Sequence, residues 1–253
     1  MGTRSYLPGR AWGLARSLAM YHGIPGRKRR MTRLYGQFLA PGDLAFDIGA
    51  HVGSRVRAWR ALGVQVVAVE PQPDCQRVLR LLYGRDQHVT VVPLAVGAAP
   101  GRARLNVSAA TPTVSSMSPT WIEAAGADPR FARVSWNTSV EVEVVTLDQL
   151  VAVHGEPAFC KIDVEGFEVQ VLSGLGVPLR ALSFEYLPAA HEQALAALDR
   201  VEDLGHYEYN YSAVETMQLT SPHWLDAAEL AAVLDRRRPL ARSGDVYARL
   251  VQS

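Results

Sequence analysis

The sequence has few cysteines, no long apolar run and no acidic residue among its first 42 positions. Its two cysteines, Cys75 and Cys160, each lie inside an apolar pattern and predict buried, reduced thiols rather than a disulfide or a metal pair. No apolar stretch reaches the roughly 18 residues of a membrane-spanning helix. Arg10 and Arg16 interrupt any signal-peptide core near the start. These absences predict a cytoplasmic protein.

The missing acids leave a basic segment ahead of a mildly acidic remainder. Residues 1–42 hold eight of the 26 Lys and Arg residues, which leaves 18 of them against 25 Asp and Glu residues. We therefore divide the chain into a basic N-terminal helical arm, 1–40, and one α/β domain, 41–253. The arm could contact a membrane surface or an anionic partner, although nucleic acid is not favoured. Alternatively it packs on the domain through four apolar residues, Trp12, Leu14, Leu18 and Tyr21.

The stretch Asp43–Glu70 predicts a strand, a glycine turn, a helix over 54–62 and a second, parallel strand. Such a unit places its turn at the carboxyl edge of the sheet, where open α/β sheets bind ligands. Gly49 and Gly53 let the backbone of the turn approach a ligand closely. Glu70, at the end of the second strand, can accept hydrogen bonds from ribose hydroxyls. The stretch therefore predicts an adenosine-containing cofactor.

The turn departs from the glycine pattern of dinucleotide-binding folds. His51 and Ser54 stand where the second and third glycines would lie against a pyrophosphate. Asp47, just ahead of the turn, would repel a pyrophosphate but suits a cofactor that carries an ammonium group. The pattern favours S-adenosylmethionine, with the methionine end at the turn, the ribose at Glu70 and the adenine beyond the third strand. The predicted cofactor-binding residues are Asp47, Gly49, Ala50, His51, Gly53, Glu70, Pro71, Leu94, Ala95 and Asp163.

A second informative stretch is FCKIDVEGFE at 159–168. An apolar strand delivers Asp163 and Glu165 to the carboxyl edge, and a helix begins near Glu168. The next strand is predicted to end on Glu185. Since acids from several strands meet on this rim, they predict a site for cationic and hydroxyl groups.

A long segment, 108–139, separates two predicted strands and is rich in Ser, Thr and Pro. Insertions of this length in a compact domain are often functional lids. We interpret Thr111–Ser118 either as a cover for the cofactor or acceptor site, or as a surface loop without a role.

Several motifs resemble the FkbM family of S-adenosylmethionine-dependent methyltransferases. The most specific is KIDVEG at 161–166, followed by Glu168, and three shorter matches accompany it at 46–53, 69–71 and 146–148. The resemblance covers roughly residues 40–190 and implies a Rossmann-like class I methyltransferase fold. In that α/β fold a mostly parallel seven-stranded sheet has helices on both faces and an antiparallel last strand. The family also implies bacterial O-methylation of small-molecule or glycan-like acceptors.

The chemistry of such an enzyme requires an aligned acceptor oxygen and a place for one proton. Asp163 is the first catalytic candidate, as general base or as anchor for the cofactor's ammonium group, and Glu165, Glu185 and His51 are further candidates. His51 is equally well explained as a loop histidine bonded to backbone. No cluster of His, Asp and Glu has metal-ligand spacing, so no metal is predicted.

Two alternative functions stay open from the sequence. One is a nicotinamide-dependent oxidoreductase, which His51 and Asp47 disfavour. The other is a non-catalytic cofactor-binding protein of the same fold, since a cofactor site alone does not establish turnover.

Overall fold

Ten strands and nine helices make up the part of the chain that the computed structural model describes. That part is residues 7–251 apart from 109–110, 112–113, 128–130, 132–133, 215 and 238–242. The strands are β1 (Leu44–Ile48), β2 (Gln65–Val69), β3 (Val89–Val92), β4 (Ala95–Val96), β5 (Gly101–Val107), β6 (Thr138–Val145), β7 (Phe159–Ile162), β8 (Ala181–Tyr186), β9 (Tyr207–Ala213) and β10 (Gly244–Leu250). The helices are α1 (Leu7–His22), α2 (Arg27–Tyr35), α3 (Ser54–Arg60), α4 (Pro73–Tyr83), α5 (Pro119–Ala127), α6 (Leu147–His154), α7 (Glu168–Ser173), α8 (His191–Leu204) and α9 (Ala227–Arg237).

Seven strands form the main sheet in the order β3-β2-β1-β7-β8-β10-β9. The pairs from β3 to β8 are parallel, whereas β10 runs antiparallel to both of its neighbours, β8 and β9. This mixed, mostly parallel sheet with an antiparallel last strand confirms the predicted Rossmann-like fold. The strand order reverses between β1 and β7, so the loops that follow these two strands meet at the carboxyl edge.

Side chains alternate between the two faces of the sheet, and each face carries its own core. In β1, Phe46 and Ile48 join the core beneath α6, α7, α8 and α9, while Ala45 joins the core beneath α2, α3 and α4. Asp47 therefore points to the same face as Ala45. In β7 the same alternation puts Lys161 on that face with Phe159.

The basic arm is partly integrated into the second of these cores. α2 buries Met31, Leu34 and Tyr35 there, and Tyr35 packs edge-on against Trp59 of α3 at a ring distance of 5.2 Å. Trp12 of α1 is 70% exposed, so the prediction that Trp12 packs on the domain is wrong. The helix instead contacts the domain near its other end, where Tyr21 meets the ring of His51 edge-on. Arg4 of the arm lies outside the described residues.

A second, three-stranded sheet extends the domain beyond β3, in the order β4-β6-β5. Its antiparallel pair is β5 and β6, and a capping box formed by Thr146 and Gln149 then begins α6. Trp121 of α5 is buried against Phe131 and Trp136, which gives the long insertion a small aromatic core of its own.

Both cysteines are free and buried, as predicted. Within the described residues, none of the helices combines the length and the apolar character needed to cross a membrane.

Candidate cofactor and acceptor site

Two adjoining cavities open at the carboxyl edge of the main sheet and share Gly49, His51, Asp163 and Glu165 as walls. The β2 cavity extends from these shared walls towards Glu70, and the β10 cavity extends in the opposite direction towards Asp245. With open solvent at their mouths included, they enclose about 560 and 710 Å³.

The turn after β1 is packed so tightly that it requires glycine. Gly49 has φ +84°, and a Cβ placed on it would lie 1.9 Å from the carbonyl oxygen of Asp163. The amides of Gly49 and Ala50 both donate to the carbonyl of Val69, at 2.9 and 3.0 Å, which ties the turn to β2. Gly53, with φ +76°, ends the turn and starts α3, and it lines neither cavity.

The β2 cavity combines apolar walls with one carboxylate. Glu70 is buried, and its two oxygens accept the backbone amides of His51 and Gln72, each at 2.8 Å. Burial raises the pKa of Glu70 to about 7, although both hydrogen bonds oppose the shift. The remaining walls are mostly apolar and include Val69, Pro71, Leu94, Ala95, Val96, Leu105 and Met117.

The described part of the predicted lid lies against the β2 cavity. Ser115 and Met117 line that cavity, and the Ser116 hydroxyl donates to the carbonyl of Glu165 at 2.6 Å. Of the segment Thr111–Ser118, positions 112–113 fall outside the described residues. The hydrogen bond joins this segment directly to the loop that carries the predicted catalytic carboxylates.

Asp47 lies beneath the turn rather than in a cavity wall. Its side chain is fully buried, and its nearest cation is Arg55, with Nη1 at 3.9 Å from Oδ1. Burial raises the pKa of Asp47 to about 6, and Arg55 opposes the shift. Asp47 shares its sheet face with α3, and both of its carboxylate oxygens are buried without a hydrogen-bond partner among the described residues.

Lys161 and Arg55 form a buried cationic pair around Asp163. The Lys161 ammonium lies 2.7 Å from Oδ1 of Asp245 and 3.8 Å from Oδ2 of Asp163, and it donates to the carbonyl of Ile162 at 3.0 Å. Arg55 donates a hydrogen bond directly to Asp163. Burial alone would raise the pKa of Asp163, but Lys161 and Arg55 lower it below its usual value. Asp163 is therefore ionised.

Asp163, Glu165 and Glu185 bring one carboxylate oxygen each to within 4.8 Å of one another. The spacing of these residues in the sequence did not predict the cluster, because Glu185 lies in β8 whereas Asp163 and Glu165 follow β7. Burial, together with the charge of Asp163, raises the pKa values of Glu165 and Glu185 well above the usual range. Three converging carboxylates can bind a cation or share a proton.

The loop that carries Glu165 is built by Glu168. One oxygen of the buried Glu168 carboxylate accepts the amides of Val164 and Gly166, at 3.1 and 3.3 Å. Glu165 has a left-handed backbone, φ 54°, which is unfavourable for a residue with a Cβ. The hydrogen bonds from Glu168 and Ser116 hold the chain in this conformation, so the loop presents Glu165 to both cavities.

His51 contributes a neutral ring to the wall shared by the two cavities. Burial lowers its pKa to about 4, and its ring meets Tyr21 of α1 edge-on at 5.4 Å. Its Nε2 is buried and has no hydrogen-bond partner among the described residues. A neutral imidazole with a free ring nitrogen can bond to a polar ligand.

The structure thus brings eight of the ten predicted cofactor residues to the cavity walls: Gly49, Ala50, His51, Glu70, Pro71, Leu94, Ala95 and Asp163. Sequence reasoning missed Arg55, Lys161 and Asp245. Lys161 had a usable signal, since a lysine inside a fully apolar strand must find a buried partner. Asp245 had no such signal in the sequence, because its position beside Lys161 depends on the pairing of β10 with β8.

Comparison with known proteins gives one family match. The model of the FkbM methyltransferase domain matches residues 47–211, from the end of β1 to β9. No curated protein matches the chain closely enough to count as a relative.

Solved structures show only distant similarity. A precorrin-6y C5,15-methyltransferase from Geobacter metallireducens has 13% identity and a TM-score of 0.46, over 89% of this chain and 87% of its own. A putative O-methyltransferase from Klebsiella pneumoniae has 12% identity and a TM-score of 0.46, over 94% and 90%. Aeropyrum pernix fibrillarin with natively bound S-adenosyl-L-methionine has 10% identity and a TM-score of 0.46, over 87% and 74%. Similarities at this level carry no argument about the function.

The family match is decisive because of its extent and position. It covers 165 of the 253 residues and includes the glycine turn, Glu70 and the whole KIDVEG loop. By this match, the chain belongs to the FkbM family of methyltransferases.

Proposed function

We propose that this methyltransferase uses S-adenosylmethionine to methylate a hydroxyl oxygen of a small-molecule or glycan acceptor. The observation that carries the proposal is the meeting of the two cavities at Asp163 and Glu165. The β2 cavity has mostly apolar walls and the carboxylate of Glu70, which suit a nucleoside. The β10 cavity is lined by several carboxylates, which suit hydroxyl groups. Their shared wall is where a methyl donor and an acceptor would meet.

The residues of the β2 cavity fit the cofactor in three respects. Leu94 and Ala95 offer apolar contact to an adenine ring, and Glu70 keeps lone pairs free for the ribose hydroxyls beside its two backbone bonds. At the shared end, the ionised Asp163 provides the negative charge that a cationic methionine end requires. Family membership favours this cofactor over a nicotinamide dinucleotide.

The chain's own contribution to the reaction is alignment, exclusion of water and control of one proton. When bound, the cofactor supplies an activated methyl group on a sulfonium. Placement of the acceptor oxygen in the β10 cavity would supply several kcal/mol, on the order of 7–11 at best. Asp163 suits the anchoring role better than the basic one, because a carboxylate held ionised by Arg55 and Lys161 is a weak proton acceptor.

The test is release of S-adenosylhomocysteine over a panel of sugars, glycosides and small alcohols, with mass spectrometry of the products. Methylation at oxygen of any member supports the proposal. Binding of S-adenosylmethionine without turnover on any acceptor or cell extract would instead favour a non-catalytic binding protein. A fluorescence titration in which NADH binds and S-adenosylmethionine does not would contradict the cofactor assignment.

Asp163→Asn separates the two roles of that residue. If Asp163 anchors the ammonium group, cofactor affinity falls and turnover recovers at saturation. If it acts as the base, kcat falls by roughly 10²-fold or more while affinity stays nearly unchanged.

A further inference from the structure

Glu165 and Glu185 are the two carboxylates of the β10 cavity that no cation neutralises. Among the described residues, neither side chain forms an ion pair or a hydrogen bond, and Oε2 of Glu185 is buried without any partner. They come from the loop after β7 and from β8, and each offers an oxygen within 4.8 Å of the other. Two carboxylates this close disfavour each other's ionised form when no cation lies beside them.

The cations nearby are already engaged. Arg55 donates to Asp163, and Lys161 bonds to Asp245 and to the carbonyl of Ile162. The titratable groups around the pair are Lys161 from β7, Asp163 from the loop after β7, Arg55 from α3, Glu168 from α7, Asp245 from β10, His51 from the glycine turn and Tyr21 from α1. Both cations in this set already have a carboxylate partner, Asp163 or Asp245, so among the described residues the pair has only a proton to offset its own charge.

We propose that Glu165 and Glu185 carry one proton between them in the free protein, on one carboxyl group or the other, and that binding of the cationic cofactor releases it and creates the base for the acceptor hydroxyl. The inference rests on the proposed function and assigns its proton acceptor. A sulfonium in the β2 cavity would lie beside Glu165, which lines both cavities, and a nearby positive charge favours the ionised form of a carboxyl group. The base is thus formed when the methyl donor is present.

This pair accepts the proton that leaves the acceptor hydroxyl during methyl transfer. As a lone pair of the acceptor oxygen forms the new bond to carbon, the O–H bond breaks and its proton passes to the ionised carboxylate. The electron pair of the broken carbon–sulfur bond remains on sulfur. Glu168 and Ser116 are positioning residues for this step, because their hydrogen bonds hold the left-handed backbone of Glu165.

The inference can be tested without knowing the acceptor. Calorimetric titrations of the full-length protein with S-adenosylmethionine, in buffers that differ in ionisation enthalpy, give the number of protons released on binding. We expect net release, so that affinity rises with pH by up to about tenfold per unit. S-adenosylhomocysteine carries the same amino acid end without the sulfonium charge, and we expect its binding to release no proton from the pair.

Matched variants locate the source of the proton. Glu165→Gln and Glu185→Gln should each abolish the release, while the control Glu141→Gln, at an exposed position, should keep it. The two pair variants change different elements, so either one is sufficient if the other does not fold. Equal release in wild type and both pair variants, or none on S-adenosylmethionine binding, would overturn the inference. Absence of binding itself would instead overturn the proposed function.

Discussion

At the scale of the residue, the carboxylates at the carboxyl edge differ in what neutralises them. Asp163 is surrounded by Arg55 and Lys161 and is ionised, whereas Glu70 is held by two backbone amides and has a pKa of about 7. Side chains of the same chemical type therefore have different surroundings within one pair of cavities. Sequence position alone does not predict these surroundings, because the neutralising groups come from other elements.

Glu70→Gln should weaken S-adenosylmethionine binding by about 1.5–3 kcal/mol, as expected for loss of hydrogen bonds to a charged group. Gln has one carbonyl oxygen, so its amide nitrogen would face one of the two backbone amides that Glu70 now accepts. Isothermal titration calorimetry measures the change, with Glu141→Gln as the control at an exposed position. An unchanged affinity in a folded variant would show that Glu70 does not contact the cofactor.

At the scale of the element, the glycine turn and the KIDVEG loop form one unit. Gly49 lies against the carbonyl of Asp163, and the amide of Asp163 donates to the carbonyl of Ile48 at 2.9 Å. The two loops that follow β1 and β7 therefore set each other's position. A change in the turn should move the carboxylates although none of them is altered.

Gly49→Ala should lower the free energy of unfolding by about 1–3 kcal/mol more than Gly42→Ala, because of overpacking against the Asp163 carbonyl. The comparison is matched in backbone conformation. Both glycines have positive φ, +84° and +90°, but a Cβ on Gly42 would have nothing within 4 Å. Urea unfolding of the two variants measures the difference. Equal losses would mean that the turn can relax away from the carbonyl.

At the scale of the whole molecule, burial of many acids makes stability depend on pH in an unusual direction. Burial raises the folded-state pKa of Asp47 to about 6 and those of Glu70 and Glu168 to about 7. An acid whose pKa is raised in the folded state stabilises the fold at low pH. This contribution is lost as the pH rises through the folded-state pKa. His51 acts oppositely, because its lowered pKa of about 4 gives stability that is present above about pH 6.5.

We therefore expect the cofactor-free protein to be more stable at about pH 5.5 than at pH 8. Over this range the three acids lose more stability than the histidine gains. One pKa unit corresponds to about 1.4 kcal/mol, so the midpoint of thermal unfolding should fall by several degrees over this range. Scanning calorimetry at both pH values measures it. Glu168→Gln should reduce the difference and Glu141→Gln should not, whereas a stability that rises with pH would contradict the assignment.

The sequence by itself determined the architecture and the edge of the sheet at which the two cavities lie. Alternating and continuous apolar runs predicted β1, β2, β3 and β7, and the glycines with positive φ marked the turn at the carboxyl edge. These features are local, because hydrophobic periodicity and backbone conformation depend on neighbouring residues in the chain. The KIDVEG motif then indicated the family, which the match over residues 47–211 shows.

Only the tertiary structure decided how the charges are paired. Lys161 meets Asp245 across 84 positions of the chain, and Arg55 meets Asp163 across 108. The same packing exposes Trp12 and brings Glu185 to Glu165. Electrostatic energy depends on distance in space and on burial. Here both depend on the spatial order of the strands, in which β8 lies between β7 and β10. That order is not encoded in any single segment, so the partners of each carboxylate became visible only in the folded chain.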